Sequence, residues 1–233
     1  MNLIIFNNSR YFENIALSLS SILKVELIDE IDVSDLRTHV LFTIKDMKIM
    51  PINYIVYNFE QLDTTINLSQ QFYDRLCGAI HIFDYSQTNI VYLMVEKDIS
   101  ATFLPYGWNT SMKIKTKLYN NRLNDVLFLG YMNERRRNML KPTYELCCNN
   151  NYKLFIDNNC WDNEYNRLLQ MSKIGINIHF YEGNTILEVH RIIPYILNKI
   201  YVISERSTDT YYDNLFDEMV TWMDKPLDIL DNE

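Results

Sequence analysis

The chain predicts an α/β protein built from two small domains, each a parallel sheet covered by helices, with the two sheets facing one cleft. Three observations predict it. In each half, short apolar runs alternate with stretches of helical spacing, the pattern of parallel strands joined by crossovers. The segment Gly175 to Ser207, GINIHFYEGNTILEVHRIIPYILNKIYVISERS, reads strand, loop, helix and strand in direct succession. Finally, 233 residues give two halves, each too short for a barrel of eight strand–helix units.

In the first half, Leu3 to Phe6 is a continuous apolar run typical of a buried strand, and a polar turn follows it. Phe12, Ile15, Ala16, Leu19 and Ile22 then recur at helical spacing. Val25 to Ile28, Val40 to Ile44 and Tyr54 to Tyr57 read as strands, Leu68 to Leu76 as a helix, and Ala79 to Phe83 and Ala101 to Leu104 as strands. Lys113 to Asn124 is polar, basic and without apolar periodicity, so it reads as a connection. The domains are therefore 1–112 and 125–233, with residues 113–124 linking them.

The second half restarts with a buried strand, Val126 to Leu129, ending at Gly130. Asn133 to Cys148 is helical, with Pro142 expected to kink or split it. Lys153 to Ile156 is a strand, and Tyr165, Leu168 and Leu169 mark a helix. Ile174, Ile176, Ile178 and Phe180 alternate as a strand, followed by a loop, a helix containing Pro194, and a strand from Ile200 to Ser204. Tyr211 to Met223 is read as a last helix, and the acidic end 224–233 as peripheral.

Composition narrows the class of function. The net charge of −8 argues against a nucleic-acid partner, since such binders carry a basic surface. The basic residues that cluster between Lys113 and Lys141 suit a small anionic ligand better than a polymer. Cys77, Cys147, Cys148 and Cys160 form no CxxC pair and no metal spacing, so they read as reduced thiols in a cytoplasmic protein with no metal site. No basic leader and no transmembrane-length apolar run is present.

The candidate site sits in the second half. Glu182, Gly183 and Asn184 form a short loop, and Glu188 falls in the first turns of the helix behind it. Backbone N–H groups at a helix start suit phosphates, and a nearby carboxylate suits a ribose. His179 reads as a packed, hydrogen-bonded histidine, Asn133 equally as an N-cap, and His190 and Arg191 as surface residues of a helix covering the sheet.

These features resemble a glycosyltransferase of the GT-B fold, in the broad group-1-like family. DVLFLGYMNERRR, from Asp125, resembles the first strand, glycine turn and helix start of that family's nucleotide-binding domain, while HFYEGNTILEVHRI and YVISERS resemble its acidic loop, helix and following strand. YIVYNFEQL, HIFDYSQTN and FLPYGW resemble the acceptor-side domain. The resemblance implies a GT-B-like pair of Rossmann-like domains in a compact form. It also implies transfer of a sugar from a UDP- or GDP-linked donor to a carbohydrate, lipid or protein acceptor, without a cofactor or metal.

On the resemblance, Glu188 matches the residue that holds the donor ribose, and Gly183 and Asn184 meet the diphosphate. Gly130 admits the donor to the first turn, and Arg135 or Arg136 neutralises phosphate charge. Glu182 lies closer to Glu188 than its counterpart does in many members. For an inverting reaction a base is needed, and Glu60 and Asp84, at strand ends of the first half, are the candidates. The alternative is a non-catalytic module of the same fold that binds a nucleotide or sugar or scaffolds a glycan-building complex. A nucleotide-sugar epimerase is a third reading, and homo-oligomer formation stays open.

Overall fold

The computed structural model describes residues 2–63, 66, 68–108, 112–114, 117–158 and 160–222. The chain divides into two compact units, Met1–Ser111 and Met112–Glu233, and each is built on a parallel sheet.

The first unit contains β1 (Leu3–Phe6), β2 (Leu27–Ile28), β3 (Thr38–Leu41), β4 (Tyr54–Asn58), β5 (His81–Asp84) and β6 (Thr102–Phe103). They lie in the order β2-β1-β3-β4-β5-β6, with every pair parallel. Helices α1 (Glu13–Leu23), α2 (Gln70–Cys77) and α3 (Gln87–Lys97) make the crossovers. Ser69 and Ser86 cap α2 and α3 by accepting from the amides of Phe72 and Asn89. Leu41, Val56, Phe72, Leu76, Ile82 and Leu93 meet in the core.

Two elements here differ from the sequence reading. Strand β3 starts earlier than Val40 and ends at Leu41, although Phe42 and Ile44 remain buried beyond it. Helix α3 was not expected, because Ile90 to Val95 is one continuous apolar run that carries no 3.6-residue period. Its serine cap and the left-handed Asp98 that ends it fix the helix instead.

The second unit contains β7 (Asn124–Leu129), α4 (Glu134–Asn150), β8 (Leu154–Asp157), α5 (Asp162–Met171), β9 (Ser172–Asn177), α6 (Val189–Leu197), β10 (Tyr201–Ser204), α7 (Thr210–Leu215) and β11 (Val220–Trp222). The sheet order is β11-β10-β9-β7-β8, again parallel throughout. The chain steps from β7 to β8 on one side and then returns to β9 on the other. The carboxyl ends of β7 and β9 therefore flank the point where the winding reverses, the place where open α/β sheets receive ligands.

Packing in this unit turns on Gly175, in the middle of β9. A Cβ there would fall 2.5 Å from the ring of Tyr195, which is fully buried on α6. Residues of the segment read as a connection are fastened to this unit. Arg122, almost fully buried, donates to the carbonyls of Ser172, Lys199 and Asn198. Asn198 in turn accepts from the Ile114 amide and donates to Met112.

Several boundaries differ from expectation. Helix α4 runs unbroken through Pro142. Strand β9 ends at Asn177 rather than Phe180, and the expected helix from Tyr211 is a short α7 followed by β11. Met223 and the acidic end 224–233 lie outside the described residues. Among the described residues, no helix is long and apolar enough to cross a membrane.

Candidate functional site

The site begins where β9 stops. Asn177 is fully buried, and its side chain satisfies both its polar ends at once. Its amide donates to Glu188 Oε2 at 3.0 Å and to Ser204 Oγ at 3.0 Å, while its Oδ1 accepts from Arg191 Nη1 at 2.5 Å. Those bonds tie the ends of β9 and β10 to the start of α6, and the backbone leaves the sheet as a loop.

The next three carbonyls are captured by the start of α4. Ile178 accepts from Arg136 Nε at 2.9 Å, His179 from Arg135 Nη1 at 2.8 Å and Phe180 from Asn133 Nδ2 at 2.7 Å. Asn133 is also the N-cap, its Oδ1 accepting from the Arg136 amide at 2.8 Å. Arg135 forms a two-pronged pair with buried Glu205, at 2.9 and 2.6 Å. Arg136 is sandwiched by Phe128 and Phe180, its Cζ 5.6 and 5.2 Å from their centroids. Burial and neighbouring Arg191 lower the Arg136 guanidinium to about 10.

Glu188 closes the network. It is the N-cap of α6, one position before the helix rather than in its first turns, and its side chain caps no amide. Instead Oε1 accepts from Arg136 Nη2 at 3.1 Å, and Oε2 lies 3.0 Å from His179 Nδ1. Burial favours the neutral carboxyl, but His179, Arg191 and Arg136 outweigh it and hold Glu188 well below the ordinary carboxylate range. His179 is buried, as expected of a packed histidine, and its Nε2 faces the Arg206 carbonyl at 3.1 Å. Burial opposes the charged ring, yet Glu188 and Glu205 raise His179 above its usual value.

The structure brings together Gly130, Arg135, Arg136 and Glu188 of the expected site residues. Gly130 follows β7, and a Cβ on it would fall 2.6 Å from Arg191 Nη2 and 3.2 Å from Arg136 Nη1. Glu182, Gly183 and Asn184 are exposed and lie apart from the helix start, because Thr185, Ile186 and Leu187 are buried between them and Glu188. Glu182 comes no nearer than 3.9 Å to Arg135. Gly183 adopts φ +85° in open space, a turn conformation that suits glycine.

Asn177, Arg191 and Glu205 were missed by the sequence reading. Arg191 is 8% exposed and not a surface residue. Its spacing of three from Glu188 on one helix was the available signal. Nothing local marked Asn177 or Glu205.

In the first unit, Asn58 and Asp84 are register partners at the ends of β4 and β5. Asp84 is fully buried. Its Oδ1 accepts from the Ser86 amide at 2.8 Å and Asn89 Nδ2 at 3.0 Å, and its Oδ2 accepts from Asn58 Nδ2 at 2.7 Å. That geometry organises the strand-end loop and presents no free oxygen edge to an acceptor. Glu60 differs: its side chain is 29% exposed, 3.9 Å from Lys45, and burial pushes its carboxyl up. Beside it, Phe59 gathers Phe12, Tyr57, Tyr85 and Tyr106 at centroid distances of 5.2, 4.3, 5.4 and 5.7 Å.

No model of a known protein family matches the chain. The chain superposes on WaaG, a glycosyltransferase involved in lipopolysaccharide biosynthesis, with a TM-score of 0.55 over 95% of this chain and 85% of WaaG, at 9% identity. A glycosyltransferase from Rickettsia africae ESF-5 superposes with a TM-score of 0.50 over 96% of this chain and 84% of that one, at 10% identity. The fold is GT-B. In sequence, the chain is 28% identical over 225 residues to the uncharacterized protein L140 of Acanthamoeba polyphaga mimivirus, covering 90% of this chain and 69% of that protein. Within the GT-B fold, the network around Glu188 lies at the strand ends of the second parallel-sheet unit.

Proposed function

We propose that this protein is a glycosyltransferase that takes a sugar from a nucleoside-diphosphate donor, with the second unit binding the donor and the first the acceptor. The single observation that carries the reading is the polar network at the winding reversal of the second sheet. There, the cationic or raised side chains of Arg135, Arg136, Arg191 and His179 gather around the buried or half-buried carboxylates Glu188 and Glu205, with buried Asp213 also within electrostatic reach of His179. An uneven set of charges held out of water favours an anionic ligand, and a diphosphate fits that requirement.

In this reading Arg135 and Arg136 act by clamping the loop after β9, so they shape the donor site. Glu188 accepts from three protein groups, and a carboxylate has about four acceptor positions. One position is left for a ribose hydroxyl. On the acceptor side, Glu60 is the base of an inverting reaction, because a carboxyl with a raised pKa and an exposed edge holds a proton better than an ordinary one.

Calorimetry with UDP, GDP and their sugar conjugates tests the reading, together with donor hydrolysis by mass spectrometry. Binding of one nucleoside diphosphate, weakened in Glu188→Ala, is expected. Absence of binding to every member of the panel would overturn it. The occupied state of the Glu188 carboxylate favours a second reading, a non-catalytic module of the same fold. Nucleotide binding without hydrolysis or transfer would select that one.

A further inference from the structure

Three arginines approach the end of β7, and they differ in how many of their donors the protein uses. Arg136 donates to the carbonyls of Ile178 and Tyr131 and to Glu188. Arg135 donates to the His179 carbonyl and to both oxygens of Glu205. Arg191 makes one hydrogen bond, from Nη1 to Asn177 Oδ1, and its Nε and Nη2 meet no acceptor among the described residues. It is nevertheless 92% withdrawn from solvent, being only 8% exposed.

Most of the side chain is withdrawn, yet Nε and Nη2 are not among the fully buried atoms without a partner, so the unpaired edge of the guanidinium still reaches solvent. Its position is fixed from several sides. Asn177 holds Nη1, Phe128 lies 5.6 Å from Cζ, and the backbone of Gly130 lies against Nη2. A side chain at position 130 would stand 2.6 Å from Nη2 and 3.3 Å from Cζ, so glycine is what lets the guanidinium occupy this place. Arg191 also lies in the first turn of α6, where the helix dipole favours negative charge.

We propose that Arg191 is the residue that receives the phosphate groups of the ligand, through Nε and Nη2, the two nitrogens the protein leaves open, and that Gly130 is required to keep that edge accessible. The inference rests on and deepens the donor reading above. It assigns the anion contact to an arginine of α6 that uses one of its five N–H groups, rather than to Arg135 or Arg136, each of which already spends three on loop carbonyls and on Glu205 or Glu188. The chemistry is that of a phosphate or diphosphate oxygen pair met by the planar guanidinium fork.

The test compares inorganic pyrophosphate, UDP, GDP and uridine by calorimetry on the full chain, in wild type, Arg191→Met, Arg191→Lys and Gly130→Ala, with thermal unfolding as a check on folding. Wild type is expected to bind pyrophosphate and UDP or GDP, and Arg191→Met to lose at least about tenfold in affinity for both. Arg191→Lys is expected to fall between them, because an ammonium replaces the fork by a single point charge. Gly130→Ala keeps the arginine but crowds it, and should weaken both anions while leaving uridine unchanged.

Arg191→Met that unfolds leaves Arg191→Lys and Gly130→Ala to decide. Folded variants that bind pyrophosphate and the nucleotide as wild type does overturn the assignment of Arg191 and leave the donor reading standing. Pyrophosphate binding that depends on Arg191, without binding of any nucleotide, supports the anion site and sinks the nucleotide donor. A wild-type protein that binds none of the four overturns both.

Discussion

Nδ1 of His179 lies 3.0 Å from Oε2 of Glu188, and the opposite ring nitrogen lies 3.1 Å from the Arg206 carbonyl. Both nitrogens therefore face acceptors. Only the imidazolium donates from both positions, so the geometry and the raised pKa of the ring agree on a charged His179. The pair ties the loop after β9 to the start of α6. It sits among Glu205, Arg136 and Arg191, each of which enters the balance on one partner or the other.

This pair gives the second unit a pH signature. His179 is raised, so its contribution is complete below the ordinary histidine value of 6.5 and is lost as pH rises through the higher folded value. Glu188 is lowered, so its contribution is present above 4.5 and is lost as pH falls through the lower folded value. Stability to urea should therefore decline as pH rises above 6.5 and through the raised folded value of His179. That decline should flatten in Glu188→Gln and His179→Gln, and identical profiles in wild type and variants would exclude the pair as its source.

Removing one partner of the network should cost more than removing a surface ion pair. Glu188→Ala leaves Arg136 Nη2, Asn177 Nδ2 and His179 Nδ1 without the carboxylate they share, and loss of one member of a withdrawn charge pair costs roughly 3–5 kcal/mol. Lys141 and Glu145 form an exposed pair on α4 at 3.9 Å. Glu145→Ala should change stability by about 0.5 kcal/mol or less. Urea midpoints of the two variants, at one pH, check the contrast.

Gly175→Ala should destabilise the second unit by roughly 1–3 kcal/mol, the range for forcing an extra methyl into a packed core. The new methyl meets the ring of Tyr195 at 2.5 Å, and that ring is fully buried and has nowhere to retreat. Gly107, where a Cβ meets nothing within 4 Å, serves as the control. Equal melting temperatures for the two alanine variants would show that the Tyr195 contact is not limiting.

The two carboxylates of the first unit should separate into a structural one and a chemical one. Asp84→Ala leaves Ser86, Asn58 and Asn89 donors without their acceptor, each costing roughly 1–3 kcal/mol when buried. It should lower stability without acting on nucleotide affinity. Glu60→Gln should leave the fold within about 0.5 kcal/mol of wild type and, in an inverting transferase, reduce turnover by roughly 10²–10⁴-fold. Steady-state kinetics beside unfolding curves distinguish the two. An unfolded Glu60→Gln would assign that carboxyl to the fold.

The order of strands and helices was legible because it depends on patterns within a few residues. Leu3 to Phe6, Tyr54 to Tyr57 and Ile200 to Ser204 read as short strands, and strands stand at all three places in the folded chain, the last beginning one residue later, at Tyr201. Where the local pattern was blurred, the reading failed. The unbroken apolar run in α3 hid its period, and the aromatic-rich stretch after Thr210 read as one long helix although it divides into α7 and β11.

The chemistry of the site was legible only in part. Gly130 and Glu188 stood out by their place beside a strand end and a helix start. The roles of Arg135 and Arg136 did not, because their partners lie far along the chain: Glu205 is 70 residues from Arg135, and Glu188 is 52 from Arg136. Periodicity tells which face of an element is apolar. It cannot tell which strand ends lie side by side, and that depends on the sheet order β10-β9-β7. Once that order sets Asn177 next to Ser204, the long-range hydrogen bonds choose their partners, and Arg191, with one of its five N–H groups used against three each for Arg135 and Arg136, keeps the most donors to spare.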